Sequence, residues 1–481
     1  MVRALAIDVG TSSVRTALVD QRGVVSAVHQ QRLTLASPAP GEVELDAGEI
    51  ARLVLELARA TLDEGPADVV GVTNQRATTM VFDVQTGQPV GPTLGWQDLR
   101  TVLDCLVLQG EGLRLAPNQS ATKARWLVEH ANVPAARLRM ATLESWVTWV
   151  LTAGAHHVSD RSNAAITGLV NLAVDAWDPA ILATLGLDPG LLARLVDTMG
   201  EVGPAVALPG SPPITALIGD QPASLFGQSR VHGGAKITFG TGAMLNVVRE
   251  GPGPRTLTRF DSGCFPVVVR SRDGVVTWGV EGIVLSAGAC VDWLVDLGLL
   301  ARVEDAEDLA TSVPDAAGVS FVPAMSGLGT PQWDFGARSA FFGVTRGAGR
   351  AHLVRAVLEG VAQRGADLIE AGELEVGATF DEVRVDGGMS VNRFLLQRLA
   401  DFSGRDVAAS REREATTRGA GLMALVGADL LGLDDVAATW EAREHFTPHL
   451  DDAARSRARE QWRDVVARAA RTIPELSEVQ F

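Results

Sequence analysis

The chain has 481 residues, of which 46% are hydrophobic and 21% are charged, and its formal net charge is -16. This composition is typical of a globular protein with a large core, and at roughly 150 residues per domain the length predicts two to four domains. The acidic balance argues against nucleic acid or an anionic membrane as the partner.

The cysteines and the start of the chain bear on its compartment. Cys105, Cys264 and Cys290 are far apart in the sequence and match neither a zinc nor a disulfide spacing, which favours buried thiols in a reducing compartment. The first residues lead straight into a predicted strand without a signal peptide, and no apolar run approaches the ~20 residues of a membrane helix. We therefore expect a cytoplasmic protein. Only two lysines occur, Lys123 and Lys236, which we interpret as compositional bias.

The amino-terminal stretch predicts a meander of three short strands within residues 4–28. A polar turn separates the first two strands. Hydroxyl and N–H groups in such a turn can bind phosphate oxygens, and a carboxylate there can hold Mg²⁺, usually through water. A serine-rich hairpin with no ligand is the alternative interpretation. The residues concerned are Asp8, Thr11, Ser12 and Arg15.

Polar groups and one indole follow the next predicted strands. Asp46, with Glu49 three residues later, predicts a helix start, and strands are predicted at 68–72 and 79–83. A single polar residue at a strand end is more often a structural hydrogen-bonding group, but a cluster favours a site for a polyhydroxy ligand. The cluster comprises Asn74, Gln75, Arg76, Trp96, Asp98 and Arg100.

Two helices are predicted after this cluster, at 120–130 and 143–151. They contain Trp126, Trp146 and Trp149. Tryptophans at helical spacing are more often core residues than ligand contacts, so we expect these to be packed inside.

The stretch 216–242 combines two features that suggest chemistry. A buried strand ends at Gly219, and Asp220 then lies at the carboxyl end of the strand, where open α/β sheets bind their ligands. A helix is predicted at 222–228, and a second strand, predicted at 235–239, then runs into Gly240-Thr241-Gly242, where a backbone could approach a phosphate. Two ordinary strand-to-turn junctions are the alternative.

The second half of the chain repeats this plan. Its predicted strand–turn–strand unit at 236–248 mirrors the opening meander, and a later strand is closed by Asp386-Gly387-Gly388 before a helix that carries Asn392. We therefore predict a duplicated α/β architecture with a cleft between the halves. Further strands are predicted at 275–280 and 321–323, and helices at 352–372, 414–426 and 451–472.

At this point the motifs identify a family resemblance. The chain resembles the FGGY carbohydrate kinases, most closely the glycerol kinases, nearly from end to end. The matching segments are AIDVGTSSVR, GVTNQRATTMVFDVQTGQPV, GWQDLRT, IGDQPASLFGQ, ITFGTGAML, GLGTPQWDFGARSAFFGVTRG, LVRAVLEGVAQR and VDGGMSVNRFLLQ. The segment 339–359 fits the family's C-terminal signature, whereas Asn118 and Ala124 depart from the N-terminal one.

The resemblance implies a two-domain actin/hexokinase-like fold, a duplicated ribonuclease H-like α/β fold with ATP and sugar in the interdomain cleft. Residues 1–228 would form the N-terminal domain, with the sugar site, the first phosphate loop and the catalytic aspartate. Residues 229–481 would form the C-terminal domain, with the second phosphate loop and the adenosine site. A homodimer or homotetramer is compatible with the resemblance.

The resemblance also implies roles for individual residues. Asp220 resembles the catalytic base, and chemistry supports this, because phosphoryl transfer needs a carboxylate to accept the hydroxyl proton. Asp8 and Asp220 would be associated with Mg²⁺. The ATP-binding residues implied are Thr11, Ser12, Arg15, Gly240, Thr241, Gly242, Gly288, Asp292, Gly387, Gly388 and Asn392. The acceptor-binding residues implied are Arg76, Ala77, Trp96, Asn118, Asp220 and Gln221.

Three of these implied site residues differ from those of the glycerol kinases. Asp292 stands where they usually have a nucleotide-contacting glutamine. Ala77 replaces the glutamate of their N-Q-R-E-T motif, and Asn118 replaces a tyrosine, so two contacts to glycerol hydroxyls are lost. The glycine-rich regulatory segment that some glycerol kinases carry before their GDQ is not visible at 203–213, so control by a sugar bisphosphate is not expected there.

These observations predict an ATP-dependent kinase that phosphorylates a hydroxyl of a small polyol or sugar, with an altered acceptor pocket. A pentulose kinase and a true glycerol kinase are alternatives within the same chemistry. A non-catalytic ATP-binding sensor of the same fold is the alternative outside it, although such a protein should have lost Asp8 or Asp220.

Overall fold

The core is built on two large mixed β-sheets, one from each half of the chain. The computed structural model describes residues 2–249, 251–412 and 414–479. The strands of the first half are β1 (Arg3–Val9), β2 (Ser13–Asp20), β3 (Val25–Arg32), β4 (Glu44–Leu45), β5 (Val69–Asn74), β6 (Thr79–Asp83), β7 (Gln88–Pro89), β8 (Thr93–Leu94), β9 (Leu138–Thr142), β10 (Val158–Asp160), β11 (Arg194–Val196), β12 (Met199–Pro204) and β13 (Pro213–Gly219). Its helices are α1 (Ala47–Asp63), α2 (Val102–Gly110), α3 (Ala121–Glu129), α4 (Leu143–Leu151), α5 (Arg161–Ala164), α6 (Pro179–Leu185) and α7 (Asp220–Gly227).

The second half contributes the other large sheet and the longest helix. Its strands are β14 (Gly234–Phe239), β15 (Ala243–Val248), β16 (Phe265–Arg272), β17 (Val275–Val284), β18 (Ser320–Val322), β19 (Ala340–Phe342), β20 (Glu382–Asp386), β21 (Asp406–Ser410) and β22 (Ala442–Phe446). Its helices are α8 (Gly288–Asp296), α9 (Ala306–Thr311), α10 (Arg350–Val376), α11 (Arg393–Ser403), α12 (Ala415–Gly427), α13 (Leu433–Ala438), α14 (Asp452–Ala469) and α15 (Pro474–Ser477).

The two sheets share one strand plan, which confirms the predicted duplication. The first sheet has the order β12-β13-β5-β1-β2-β3, and the second has the order β16-β17-β15-β14-β20-β21-β22. In each, an antiparallel meander (β1-β2-β3 or β14-β15-β17) is joined through its first strand to two parallel strands, and an antiparallel strand then follows at the edge.

The register of the parallel strands brings their polar ends together. In the first sheet Val9 pairs with Asn74, and Asn74 pairs with Gly219, so β1, β5 and β13 end side by side. In the second sheet Thr238 pairs with Asp386, so β14 and β20 also end together. The turns after these strands, which carry most of the predicted site residues, therefore lie at one edge of each sheet.

The two halves share part of their core. One face of the first sheet packs on α1 and α4 through apolar residues such as Ile50 and Trp146. The opposite face packs on α7 and on α12, whose Ala420 and Met423 lie in the same cluster as Ala4 of β1. A helix from the second half of the chain thus covers the sheet of the first half. The domain boundary between residues 228 and 229 stays a prediction.

Several local predictions are confirmed and others were incomplete. Asp46 caps α1, accepting hydrogen bonds from the backbone N–H groups of Gly48 and Glu49 at 2.7 and 3.1 Å. The three cysteines are buried free thiols. The helix predicted from Pro222 begins two residues earlier, which places Asp220 in its first turn. Within the described ranges, no helix is both long and apolar enough to cross a membrane.

A small sheet of five short strands was largely missed by the sequence analysis. Its order is β4-β8-β6-β7, with β9 paired to β6. Only β6 was predicted, because β4, β7 and β8 have two residues each and show no alternation of apolar and polar side chains.

Candidate active site

Asp220 lies in the first turn of α7, directly after the buried strand β13. Its Oδ1 accepts a hydrogen bond from Arg76 Nε at 3.2 Å and from the backbone N–H of Gln221 at 2.8 Å. The side chain remains 31% exposed. Burial raises the pKa of the Asp220 carboxyl, and the charge of Arg76 opposes that rise. The carboxylate is therefore held in place and still open to a ligand.

Arg76 connects Asp220 to the second sheet. Its stem lies across Gly219, where a Cβ would sit 2.6 Å from the Arg76 side chain, so a glycine is required for this approach. Its guanidinium donates to both carboxylate oxygens of Glu281 on β17, at 3.0 and 2.7 Å. Glu281 was missed by the sequence analysis. The sequence signal for this residue was a single acid within an apolar strand. The strand was predicted to end at Val280, one residue before Glu281.

The first turn brings Asp8 and Arg15 together as expected from the sequence. The two residues pair across β1 and β2, with 4.0 Å between Arg15 Nη1 and Asp8 Oδ2. Thr417 of α12 donates a hydrogen bond to Asp8 at 3.0 Å, and Glu414 forms an ion pair with Arg15. Burial raises the pKa of Asp8 to about 6, and the charge of Arg15 lowers it only in part. For the pKa of Asp8, burial thus outweighs the opposing charge of Arg15.

Trp96, which was predicted to bind the acceptor, contacts the turn that carries Thr11 and Ser12. Its indole N–H donates to the hydroxyl of Thr11 at 3.3 Å, whereas Ser12 is exposed in the same turn. Ala77 is buried and has a φ of +61°, an uncommon backbone conformation for a residue with a Cβ. Asn118 lies exposed in the turn before α3.

The predicted nucleotide residues converge on the end of the second sheet. The N–H of Gly288, at the start of α8, donates to the carbonyl of Gly240 at 2.9 Å, and the carbonyl of Thr241 accepts from the N–H of Ala287 at 2.8 Å. Gly387 has a φ of +88°, and a Cβ there would lie 2.4 Å from the carbonyl oxygen of Phe239. Only glycine suits that position.

Four further residues that were predicted to bind the nucleotide lie in or around this turn. Gly388 borders open space, since a Cβ at that position would meet no other atom within 4 Å. Asn392 caps α11 by accepting a hydrogen bond from the N–H of Leu395 at 2.8 Å. Asp292 is exposed one turn into α8. Gly242 completes the turn, because its carbonyl accepts from the N–H of Gly240 at 2.9 Å.

Part of the polar cluster predicted after β5 serves the scaffold instead. Asp98 is fully buried and accepts hydrogen bonds from Arg100 and from the backbone N–H of Val43. Arg100 also pairs with Glu44. These residues hold the small sheet to the loop after β8, so the structure does not bring Asp98 and Arg100 into the group around Asp220.

Both lysines of the chain lie beside the site, and both are fully buried. Lys123 Nζ donates to the carbonyls of Gly95 and Trp96 at 2.7 and 3.1 Å, and burial lowers its pKa to about 7. Lys236 Nζ donates to Gln221 Oε1 at 3.1 Å. The sequence does not reveal that both lysines are buried beside the predicted site residues. Our interpretation of them as compositional bias alone was therefore incomplete.

A buried carboxyl pair supports the strands beneath the site. Ser162 accepts a hydrogen bond from the N–H of Gly219 at 2.9 Å and donates to Asp160 at 2.5 Å. Glu144 accepts from Ser159 at 2.6 Å. Burial and the neighbouring Asp160 raise the pKa of Glu144 above its ordinary value of 4.5. The native state therefore binds the Glu144 proton more tightly than the unfolded chain does.

This raised pKa predicts a pH-dependent stability. Because the folded state binds the Glu144 proton more tightly, the free energy of unfolding should fall as the pH rises above 4.5 and until the native carboxyl ionises. The free energy of unfolding, measured in urea titrations, should fall between about pH 5 and pH 8 in the wild type. In Glu144→Gln this fall should be smaller by on the order of 1 kcal/mol. Glu129→Gln, in an exposed ion pair with Arg125, is the control and should keep the wild-type slope. Equal slopes for wild type and Glu144→Gln would contradict the prediction.

Comparisons with known proteins agree along nearly the whole chain. The N-terminal domain model of the FGGY family of carbohydrate kinases matches residues 3–227, and the C-terminal domain model of the same family matches residues 235–428. A glycerol kinase of Aromatoleum aromaticum is 39% identical, over 97% of this chain and 98% of the relative. A glycerol kinase of Thermus brockianus is 38% identical over the same shares.

Solved structures show the same fold. The glycerol kinase of Plasmodium falciparum with ADP superposes with a TM-score of 0.90 at 25% identity, covering 100% of this chain and 99% of that one. A ligand-bound xylulose kinase of Lactobacillus acidophilus superposes with a TM-score of 0.84 at 18% identity, covering 97% of both chains. The second likeness concerns the fold alone.

Proposed function

We propose that this chain, which belongs to the FGGY family of carbohydrate kinases, transfers the γ-phosphoryl group of ATP to a small polyol or sugar other than glycerol. Kinase activity follows from the family and from its glycerol kinase relatives. The choice of acceptor and the roles of individual residues are our proposals. The observation that carries them is the Asp220 carboxylate, held by Arg76 at a sheet edge and left partly exposed.

Asp220 is assigned the role of general base. The attacking hydroxyl of the acceptor gives its proton to this carboxylate while the oxygen forms a bond to the γ-phosphorus and the bond to the β-phosphate oxygen breaks. A base in this role must lie within hydrogen-bond reach of the proton. Arg76 orients Asp220 through the 3.2 Å contact, and Trp96 offers an apolar face to the carbons of the acceptor.

Magnesium fits the acidic residues of the site. Mg²⁺ is usually bound by one or two carboxylates together with phosphates and water, not by an all-protein cage. Asp8 and Asp220 would supply these carboxylates, and the charge of Asp220 raises the pKa of Asp8, so the two lie within electrostatic reach. The bound cation would neutralise phosphate charge. Across the described parts of the chain, no group of three or more acidic, histidine or cysteine side chains forms a closed cage.

The phosphate groups are assigned to the turns at the two sheet edges. Thr11, Ser12 and Arg15 offer hydroxyls and a cation on the first sheet. Gly240-Thr241-Gly242 offers backbone N–H groups on the second, and Gly388 borders open space for the nucleoside, whereas the glycines at 288 and 387 allow close packing against the carbonyls of Gly240 and Phe239. In this arrangement Asn392 and Asp292 border the adenosine, Asn392 from the start of α11 and Asp292 from α8.

The acceptor is proposed to be larger than glycerol or to differ from it in shape. Ala77 cannot donate or accept through its side chain, and Asn118 is shorter than a tyrosine. A hydrogen bond to a charged group contributes roughly 1.5–3 kcal/mol. Because ~1.4 kcal/mol is tenfold in rate, losing the glutamate at position 77 should weaken glycerol by about tenfold to over a hundredfold. A pentulose is the leading alternative acceptor. The other alternative is glycerol itself, which would make the protein a true glycerol kinase.

Steady-state kinetics with a panel of polyols and ketoses tests the acceptor. We expect kcat/KM to be at least about tenfold higher for one of the larger acceptors than for glycerol. We also expect ATP hydrolysis to depend on the acceptor, whereas a sensor would hydrolyse ATP slowly and without stimulation. A wide preference for glycerol over every other compound would refute the altered pocket and leave a true glycerol kinase.

A further inference from the structure

Two charged residues of the second sheet contact the acceptor-side residues of the first sheet. Glu281 of β17 accepts two hydrogen bonds from Arg76, at 3.0 and 2.7 Å. Lys236 of β14 donates one to Gln221 Oε1 at 3.1 Å. Arg76 and Gln221 are the two polar residues that flank Asp220. Each is thus held by a partner from the other half of the chain.

Glu281 is a fixed anchor for Arg76. Its side chain is only 4% exposed, and Asn246 on the neighbouring strand β15 donates to Glu281 Oε2 at 2.9 Å. Asn246 and Glu281 are register partners, so the sheet itself sets the position of the carboxylate. Arg76 has few alternative orientations while this pair is formed, and the loss of Glu281 would remove one of the two carboxylates that pair with its buried guanidinium.

Lys236 holds Gln221 from the opposite side. Its ammonium group also donates to Thr238 Oγ1 at 2.6 Å. Burial lowers its pKa, while the carboxylates of Asp386, Glu281 and Asp220 favour its charged form. Gln221 directly follows Asp220 in the first turn of α7, so this contact fixes the side chain next to the proposed base.

Composition gives an independent reason to look at Lys236. Lysine and arginine together number 42, and only two of these are lysines. The chain therefore uses arginine at nearly every position that needs a cation. At position 236 the side chain is fully buried between Gln221 and Thr238, where a compact ammonium reaches both acceptors and an arginine would have to place a broader, planar guanidinium.

We propose that Glu281 and Lys236 are positioning residues that complete the acceptor site from the second sheet, Glu281 by holding Arg76 and Lys236 by holding Gln221. The acceptor site is then fully formed only when the two sheet edges are together. This inference rests on the proposed function, because it takes Arg76 and Gln221 as acceptor-binding residues. It makes acceptor recognition, and not the chemical step alone, depend on contacts between the halves.

The test uses the full-length enzyme with the best acceptor of the polyol and ketose panel. Glu281→Gln and Lys236→Met should each raise the KM for the acceptor about tenfold or more, with a smaller change in kcat. Lys236→Arg should resemble Lys236→Met despite its charge. In an Arg76→Met background, Glu281→Gln should change acceptor kcat/KM by less than about twofold, and Lys236→Met should do the same in a Gln221→Ala background.

A matched control separates positioning from general stability. Arg364 is a buried cation of the second half, 1% exposed and paired with Asp367. Arg364→Met should lower the unfolding temperature as Lys236→Met does, yet leave the acceptor KM near that of the wild type. An active wild type with unchanged acceptor KM in Glu281→Gln and Lys236→Met would overturn the inference and leave the proposed function standing. A wild type that phosphorylates none of the panel would overturn both.

Discussion

Replacing Asp220 by asparagine is expected to lower kcat by about 10²–10⁴-fold, the usual contribution of a general base. The amide has nearly the shape of the carboxylate but cannot accept the proton of the attacking hydroxyl. Arg76 would keep its contacts with Glu281 at 3.0 and 2.7 Å, so the acceptor side should stay ordered. Phosphoryl transfer is measured in a coupled assay for ADP, and acceptor binding by calorimetry.

The control for this variant is Asp83→Asn. Asp83 is also a buried acid, 4% exposed and paired with Arg137, but it lies on β6 of the small sheet. We expect Asp83→Asn to reduce stability and to keep kcat within about twofold of the wild type. Turnover retained by Asp220→Asn, with acceptor affinity unchanged, would remove Asp220 from the role of base and assign the proton to another group.

The sequence could predict the parts of this site that depend on local pattern. The strands that end at Val9, Gly219 and Phe239 are apolar runs closed by glycine or polar residues, and such runs are visible without any tertiary information. Parallel pairing then places their ends at one edge, which is a general property of α/β sheets. Asp220 and Gly240-Thr241-Gly242 could therefore be predicted as site residues from their place in the chain.

The contacts between the halves could not be predicted in the same way. Arg76 and Glu281 are separated by 205 residues, and no periodicity links them. The packing of α12 on the first sheet is equally distant in sequence, since Ala420 and Ala4 lie in one apolar cluster. Residue pattern determines which face of an element is apolar, but several apolar faces compete for each partner. The sites where the halves meet thus depend on tertiary packing that only the structure provides.

The buried ion pairs of the small sheet show a second reason for error. Asp98 and Arg100 have the residue types of a ligand site and follow a predicted strand, yet they satisfy each other. A buried charge needs a partner, and the partner can be another protein side chain as readily as a ligand. Residue type alone does not distinguish the two cases. Solvent exposure does, because the Asp98 carboxylate is fully buried and the Asp220 carboxylate is partly exposed.

Introducing glutamate at position 77 is expected to raise kcat/KM for glycerol by about tenfold to a hundredfold, because it restores a charged hydrogen-bond acceptor beside the proposed acceptor. Ala77 already has a φ of +61°, so a longer side chain adds no new Cβ strain to the backbone. The larger acceptors of the panel should lose activity in the same variant, since the proposed function places their extra atoms where the longer side chain would lie.

Ala77→Gln is the matched control, with the same length and no charge. It should exclude the larger acceptors as Ala77→Glu does, but gain less activity with glycerol, because a hydrogen bond to a neutral amide contributes only about 0.5–1.5 kcal/mol. The two variants thus separate volume from charge. If Ala77→Glu left the ratio of glycerol to larger-acceptor kcat/KM unchanged, position 77 would not border the acceptor, and the altered specificity would have to arise from Asn118 or from outside the motif.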